Sequence, residues 1–217
     1  MSMVPYPQPR MVQIINRQYC RPCYINLNIN RRSLALDGKF IATDISGNVI
    51  FKVDAALMTL HNRRVLHNAA GHPIVTLHKK IMTLHDRWEV FRGDSTDANN
   101  LLFSVKRKSM IQWKIKLYVF LAYNISESTC DFMVDVNWFK RSCVVYAGQS
   151  STIVATMENN NGRKVVTVYP NVDYAFIAAL IVILDDMKHV DGITKLTINT
   201  MTGDFGISDI LLDSFWR

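Results

Sequence analysis

A continuous hydrophobic run, Tyr174–Leu184, constrains the fold of this chain more than any other segment. The run has no polar face at either the helical or the strand period, so the rest of the chain must enclose it on all sides. It is too short to cross a bilayer, which takes about 20 apolar residues, and Asp185 and Asp186 end it abruptly. We therefore expect a buried core element and no transmembrane span.

The length of this run and the pair Ala178-Ala179 favour a helix, although the β-branched residues Ile181–Ile183 leave a buried strand open. A helix over the run is about 16 Å long at about 1.5 Å per residue, which is enough to thread a small barrel. Asn171 and Asp173 are candidate N-caps at its start. The pattern predicts one central hydrophobic helix from about Asn171 to Met187.

Residues 40–169 are dominated by the alternation of apolar and polar side chains that half-buried strands show. The clearest example is Ile111–Val119, where every odd position is apolar, and Phe132–Trp138 is a second. Turn sequences such as Ser46-Gly47-Asn48 separate these runs at short intervals. The chain is therefore predicted to be mainly β, an antiparallel sandwich or barrel, with the hydrophobic helix filling the interior.

Composition supports one folded domain, because 49% of the residues are hydrophobic and 20% are charged. Residues 1–10 contain prolines but no signal-peptide pattern, so we expect a cytoplasmic protein, with membrane-associated or nuclear localisation left open. In the cytoplasm the four cysteines are expected to be reduced thiols.

The formal net charge of +7 favours a polyanionic partner, such as an anionic phospholipid or a phosphoinositide head group. The densest basic cluster is Lys106-Arg107-Lys108, and Lys and Arg are the side chains that bind phosphate. On a strand Lys106 and Lys108 share one face and Arg107 takes the other, so the three can bind one head group only if the chain bends at Lys108-Ser109. The alternative is a solvated surface. No nucleic-acid-binding motif accompanies the charge, so nucleic acid is not the expected partner.

The sequence offers little for catalysis or metal binding. Cys20-Arg21-Pro22-Cys23 has the spacing of half a zinc site, but the sequence contains no second pair of ligands to complete it. We therefore favour the interpretation that these are two thiols in a loose segment. No nucleophile elbow, Gly-rich phosphate loop or His-Glu zinc motif occurs in the sequence. We predict a protein that is not an enzyme and has no catalytic residues, no metal and no cofactor.

Several segments resemble the LURP-one-related family of plants, in order along residues 25–187. They are His85–Gly93, Val105–Met110, Arg141–Gly148 and Val168–Ile177. The resemblance implies a closed antiparallel barrel of about twelve strands around one central hydrophobic helix, similar to the tubby C-terminal domain and to phospholipid scramblases. It also implies a link to plant defence and to membrane-tethered transcription regulators, and it carries over no catalytic motif.

This resemblance divides the chain into a Pro-containing segment at 1–24, expected to be flexible, a barrel domain at 25–189 and a tail at 190–217. The tail lies outside the resemblance and is either an added strand pair or an artefact of the gene prediction. Lipid scrambling is not expected, because the acidic residues near the helix do not follow the pattern of a calcium loop.

Two functions are compatible with these observations. The first is a non-enzymatic barrel protein that regulates by docking on anionic lipid. The second is a protein-interaction scaffold in defence signalling that does not bind lipid.

Overall fold

The computed structural model describes residues 11–31, 40–55, 63–80, 87–111, 114–137, 140–160 and 163–187. Within these ranges twelve strands surround one helix. The strands are β1 (Ile25–Arg31), β2 (Phe40–Thr43), β3 (Val49–Ala55), β4 (Arg63–Asn68), β5 (Pro73–Lys79), β6 (Trp88–Arg92), β7 (Leu101–Ile111), β8 (Lys114–Leu121), β9 (Phe132–Asn137), β10 (Ser142–Ala147), β11 (Ile153–Asn160) and β12 (Arg163–Val168).

The strands form a closed barrel in which each strand pairs antiparallel with its neighbours in sequence. The barrel closes because β1 pairs with β12 as well as with β2, with Ile25 opposite Val168. This confirms the closed antiparallel barrel and the strand number that the family resemblance implied. Because every connection reverses the chain direction, the connections after odd-numbered strands meet at one end of the barrel and those after even-numbered strands at the other.

The hydrophobic run forms the helix α1, residues 174–187, inside the barrel. From Ala175 to Leu184 no residue is more than 4% exposed. Phe176, for example, packs against Phe103 and Phe132 of the wall at ring-centroid distances of 5.1 and 4.9 Å. Each large apolar side chain enclosed in this way contributes about 1.5–3 kcal/mol of burial free energy. The prediction of a helix rather than a strand is confirmed.

The helix begins at Tyr174, directly after Asp173 and three residues after the approximate start predicted at Asn171. Asn171 has a φ of 63° and lies in a turn, and the next residue, Val172, pairs with Val12 of the N-terminal segment. Val172 and Asp173 therefore form bridges to the N-terminal segment before the helix begins. This carboxylate is the N-cap, since its Oδ1 accepts from the N–H groups of Ala175 and Phe176, both at 3.1 Å.

The other oxygen of Asp173 holds the N-terminal segment. Its Oδ2 accepts from the N–H groups of Ile14, Ile15 and Asn16 at 3.3, 2.7 and 3.0 Å. Burial raises the pKa of this carboxyl group, and the bonds from the backbone N–H groups of Ile15, Phe176, Asn16 and Ile14 act in the opposite direction. We name the end of the barrel where β12 finishes and α1 begins the cap end, after this interaction.

Residues 11–24 lie across the cap end and contain a short 3₁₀ turn, Arg17–Tyr19. The ring of Tyr19 packs against Phe51 and Tyr174, with centroids 5.8 and 5.3 Å apart. The division into a flexible segment at 1–24 and a barrel domain stays a prediction. Within that segment, Val12 and Cys20 form bridges to Val172 and Asp173, just before α1. Residues 1–10 and the predicted tail at 190–217 lie outside the described residues.

Candidate functional site

The predicted lipid-contact residues Lys106, Arg107 and Lys108 all lie on β7. Arg107 follows Phe103 and Val105 on the inward face of the strand and is only 7% exposed. Lys106 lies on the outer face, where its Nζ donates to the carboxylate of Glu127. The structure therefore does not bring the three side chains together on one surface.

A β-bulge places Lys108 apart from its two neighbours. Arg107 is opposite Leu117 and Ser109 is opposite Lys116, so Lys108 is the extra residue on its strand. The side chain is exposed, and its Nζ lies 2.8 Å from the hydroxyl of Tyr118 and 4.6 Å from the centre of that ring. The chain is thus irregular at the predicted position, but the bulge leaves Arg107 inside the barrel.

Glu127 fixes Lys106 in a small ion network on the outer wall. Its carboxylate accepts from Lys106 and, at 2.8 Å, from Arg87. Partial burial acts to raise the pKa of Glu127, but the bond from Lys106 and the charge of Arg87 outweigh it and hold the pKa below its ordinary value. Lys106 is therefore an anchor for the β8–β9 connection, which carries Glu127.

The up-and-down topology gathers many of the other basic residues at one end of the barrel. Basic residues lie at the finish of β1 and β5 and at the start of β4, β10 and β12, and all of these strand ends lie opposite the cap end. We name this end the basic end; its residues are Arg31, Arg63, Arg64, Lys79, Lys80, Lys140, Arg141, Arg163 and Lys164. Lys108 lies on the outer wall beside it, three residues before the finish of β7, with its Nζ directed at Tyr118.

The prediction from the sequence named only the triplet Lys106-Arg107-Lys108 and not the other basic residues of this end. The signal that it missed is their position beside every second turn, because only alternate turns share an end of an up-and-down barrel. The spacing of these basic residues along the chain thus indicated that they share one end of the barrel, but this grouping can be recognised only once the strand order is known.

Inside the basic end, two ion pairs tie α1 to the barrel wall. Lys164 of β12 donates to Asp185 at 2.7 Å, and Arg64 of β4 contacts the carboxylate of Asp186. One member of each pair, Lys164 in the first and Asp186 in the second, is only 8% exposed. Each pair therefore lies in a largely dry environment, where a charge is stable only beside its opposite. The two acidic residues that end the hydrophobic run are thus neutralised by inward-pointing cations.

The outer part of the basic end and the wall beside it present cations to solvent. Arg63, Lys80, Lys108, Lys140 and Arg163 are exposed. Carboxylates pair with the first two, which contact Asp94 and Glu89 respectively. Within the described ranges, no carboxylate pairs with Lys108, Lys140 or Arg163. These three side chains, on β7, before β10 and on β12, can therefore bind an anion without first breaking an ion pair.

The cysteines give no sign of metal or nucleophile chemistry where the structure describes them. All four are free thiols, and no group of three His, Cys, Asp or Glu side chains able to hold a metal occurs among the described residues. Burial raises the pKa of Cys20 to about 11 and that of Cys143 to about 12, so both are protonated near neutral pH.

Across the described ranges, no helix combines the length and the apolar character needed to cross a membrane.

Comparisons of the sequence and of the structure with known proteins point to the same family. The profile described as LURP-one-related matches residues 25–185. Protein LURP-one-related 15 of Arabidopsis thaliana is 49% identical over 200 residues, covering 88% of this chain and 92% of the relative, and Protein LURP1 of the same plant is 46% identical, covering 88% and 97%. An X-ray structure of an Arabidopsis thaliana protein superposes with a TM-score of 0.67 at 47% identity, over 81% of this chain and 98% of that one. The resemblance in the sequence motifs is thereby confirmed, and the chain belongs to the LURP-one-related family.

Proposed function

We propose that this protein is a non-enzymatic, tubby-like barrel that docks on anionic phospholipid, including phosphoinositides, through its basic end. The observation that carries the proposal is the set of exposed cations Lys108, Lys140 and Arg163, for which the described part of the chain supplies no carboxylate. A docked barrel of this kind acts at the cytoplasmic face of a membrane, as a regulator linked to plant defence.

The distribution of charge over the barrel orients it toward such a surface. The basic end collects cations from six of the strands or their connections, whereas at the cap end Asp44, Asp97 and Asp131 are balanced by the exposed Arg17, Arg21 and Arg92. A molecule whose excess positive charge lies at one end approaches an anionic surface with that end forward. Each Lys or Arg near an anionic membrane contributes about 1 kcal/mol, so three such side chains supply about 3 kcal/mol.

The three residues of the predicted triplet Lys106-Arg107-Lys108 differ in their part in this proposal. Lys108 is a direct head-group contact because it is exposed and bonded only to a tyrosine hydroxyl. Lys106 is paired with Glu127 and Arg107 lies inside the barrel, so neither of them contacts the head group. The head group is therefore expected to contact Lys108 together with Lys140 and Arg163, which lie far from it in the sequence.

The test compares two double variants that lower the net charge equally. Lys140→Gln/Arg163→Gln removes two exposed cations from the basic end, and Arg17→Gln/Lys52→Gln removes two from the cap end and the outer wall. Co-sedimentation with phosphatidylcholine vesicles containing phosphatidylserine or a phosphoinositide should show about 30-fold weaker binding for the first variant and nearly wild-type binding for the second.

Binding of the wild type should also weaken as ionic strength rises, because salt screens exposed charges. Equal losses in both variants would mean that only net charge matters, and binding that is absent or insensitive to salt would eliminate the lipid function. In that case the alternative of a protein-interaction scaffold in defence signalling remains, and the exposed apolar side chains at the cap end favour it.

A further inference from the structure

The chain leaves the interior of the barrel at the basic end. The last turn of α1, which ends at Met187, is bonded there to Lys164 of β12 and to Arg64 of β4. Residues 188–217 therefore continue from this end of the barrel. The exposed Arg163 is the chain neighbour of Lys164, so it lies beside the point where the chain leaves.

The connections around this point carry a large excess of positive charge. In the sequence, the six basic-end connections, each counted from the last residue of one strand to the first of the next, contain eleven Lys or Arg and two Asp. Lys140 and Arg163 are exposed members of this set, and no carboxylate in the described part of the chain pairs with them. An acidic segment that reaches these two cations can bind them without displacing another described carboxylate.

The last part of the chain contains an acidic segment that begins after Lys195. Residues 196–216 include Asp204, Asp209 and Asp213 and no Lys or Arg. The segment is therefore complementary in charge to the basic end. It also contains two phenylalanines and a tryptophan, whose rings attract Lys and Arg side chains.

The chain between Met187 and these aspartates is long enough to bring them to the basic end. At about 3.3–3.6 Å per residue, Asp204 can lie as far as about 55–60 Å from Met187. Twelve strands about 4.8 Å apart make a barrel about 20 Å across, so its whole rim is within reach. A segment tethered to its own binding surface has an effective concentration of about 1 mM, which allows weak ionic contacts to form.

We propose that residues 196–216 dock on the basic end of their own barrel and place their aspartates against Lys140 and Arg163. The segment then competes with anionic lipid for the same cations, so the chain inhibits its own membrane docking. This competition rests on the proposed function. The docking itself does not, and it can be measured without lipid.

The docking is tested on the full chain with a water-soluble carbodiimide, which joins a carboxylate to a lysine amine in contact with it. Mass spectrometry should find links from the three aspartates to Lys140, with a yield that does not depend on protein concentration and falls as salt rises. Arg163→Gln should lower the yield at least twofold, because one of the opposing cations is lost. The control Arg17→Gln removes an exposed cap-end cation and should leave the yield unchanged.

Co-sedimentation with phosphatidylcholine vesicles containing phosphatidylserine tests the competition. Asp209→Asn/Asp213→Asn should raise the affinity about five- to tenfold, because two ionic contacts of the docked segment are lost. The control Asp44→Asn/Asp97→Asn changes the net charge equally at the cap end, where asparagine keeps an acceptor for the turn N–H groups. It should change the affinity less than twofold.

The possible results separate the docking from the lipid function. Absence of the links, links that high salt leaves unchanged, or links only between isotope-labelled and unlabelled chains would overturn the docking, the last by assigning the segment to a second copy. Equal gains in vesicle affinity for both double variants would overturn the competition, because net charge alone would then explain them. If the links form but none of the proteins binds vesicles, the docking is supported, while the proposed function and the competition both fail.

Discussion

Asp173 should be among the most costly single positions to change, because one carboxylate serves two parts of the fold. It is fully buried and accepts from five backbone N–H groups, two at the start of α1 and three in the N-terminal segment. Asp173→Ala removes all five acceptor contacts at once and leaves the donors inside the cap end. The variant tests whether this interaction holds the segment on the barrel.

The magnitude follows from the two groups of donors. Loss of an N-cap costs about 1 kcal/mol. A hydrogen bond to a charged group is worth about 1.5–3 kcal/mol, but the N-terminal segment can detach and recover water, which limits its share. We expect Asp173→Ala to lower the free energy of unfolding by about 3–5 kcal/mol, or the melting temperature by about 10–15 °C.

A second substitution separates the two roles. Asp173→Asn keeps an oxygen where Oδ1 accepts from Ala175 and Phe176 but places an NH₂ group against the three donors of the N-terminal segment. It should therefore cost about 2–3 kcal/mol, less than alanine. Hydrogen exchange should show faster exchange at Ile14 to Asn16 in both variants.

The assay is urea unfolding followed by circular dichroism, with Asp97→Ala as the control. Asp97 also caps a turn, accepting from the N–H of Asn99 at 2.9 Å, but it lies on the surface and should cost little. If Asp173→Ala unfolds at the same urea concentration as this control, or if Ile14 to Asn16 stay protected, then the carboxylate does not hold the segment and the reasoning is wrong.

Three further predictions follow from buried or paired charges. Leu180→Asp places a charge at the centre of α1, where exposure is 2%, and should abolish folding; a soluble, cooperatively melting variant would contradict the filled barrel. Lys164→Ala removes the hydrogen-bonded ion pair with Asp185 and should cost about 1.5–3 kcal/mol in urea unfolding, whereas the exposed Lys140→Ala should not change the midpoint. The pKa of Glu127 is held below its ordinary value of 4.5, so the stability that it contributes is present above that pH and is lost as the pH falls through the lower folded-state pKa. Glu127→Gln should therefore remove part of the fall in melting temperature at acid pH. If the melting temperature of the variant falls with pH as steeply as that of the wild type, Glu127 does not contribute to the acid dependence.

The core of the fold could be predicted from the sequence because it depends on local patterns. The run Tyr174–Leu184 has no polar face, and alternation such as that of Ile111–Val119 identifies strands one at a time. Asp173, one of the two candidate N-caps in the sequence, is the residue that caps the helix. The sequence could not show that its second oxygen binds a distant segment, with Ile15 lying 158 residues away. No local pattern reports a carboxylate that caps a helix and binds another segment at once.

The candidate site was harder to predict for the same reason. Alternation correctly placed Arg107 on the opposite face from Lys106, but it gave no indication that the Arg107 face is the interior. Nor could the sequence show that Glu127, on another connection, neutralises Lys106. Lys140 and Arg163 share one end of the barrel, with Lys108 on the wall beside it, only through the strand order, which is a property of the whole barrel.

The closure of the barrel by β1 and β12 affects the order of events during synthesis. Ile25 pairs with Val168, and α1, which fills the interior, comes later still in the chain. Until α1 has left the ribosome, β1 keeps an unpaired edge and the inward faces of the finished strands have nothing to pack against. Unpaired edges and exposed apolar faces of this kind promote aggregation, and pairing between distant strands is slow. The barrel therefore cannot close until nearly the whole chain has been synthesised, and the fold is completed in one late step.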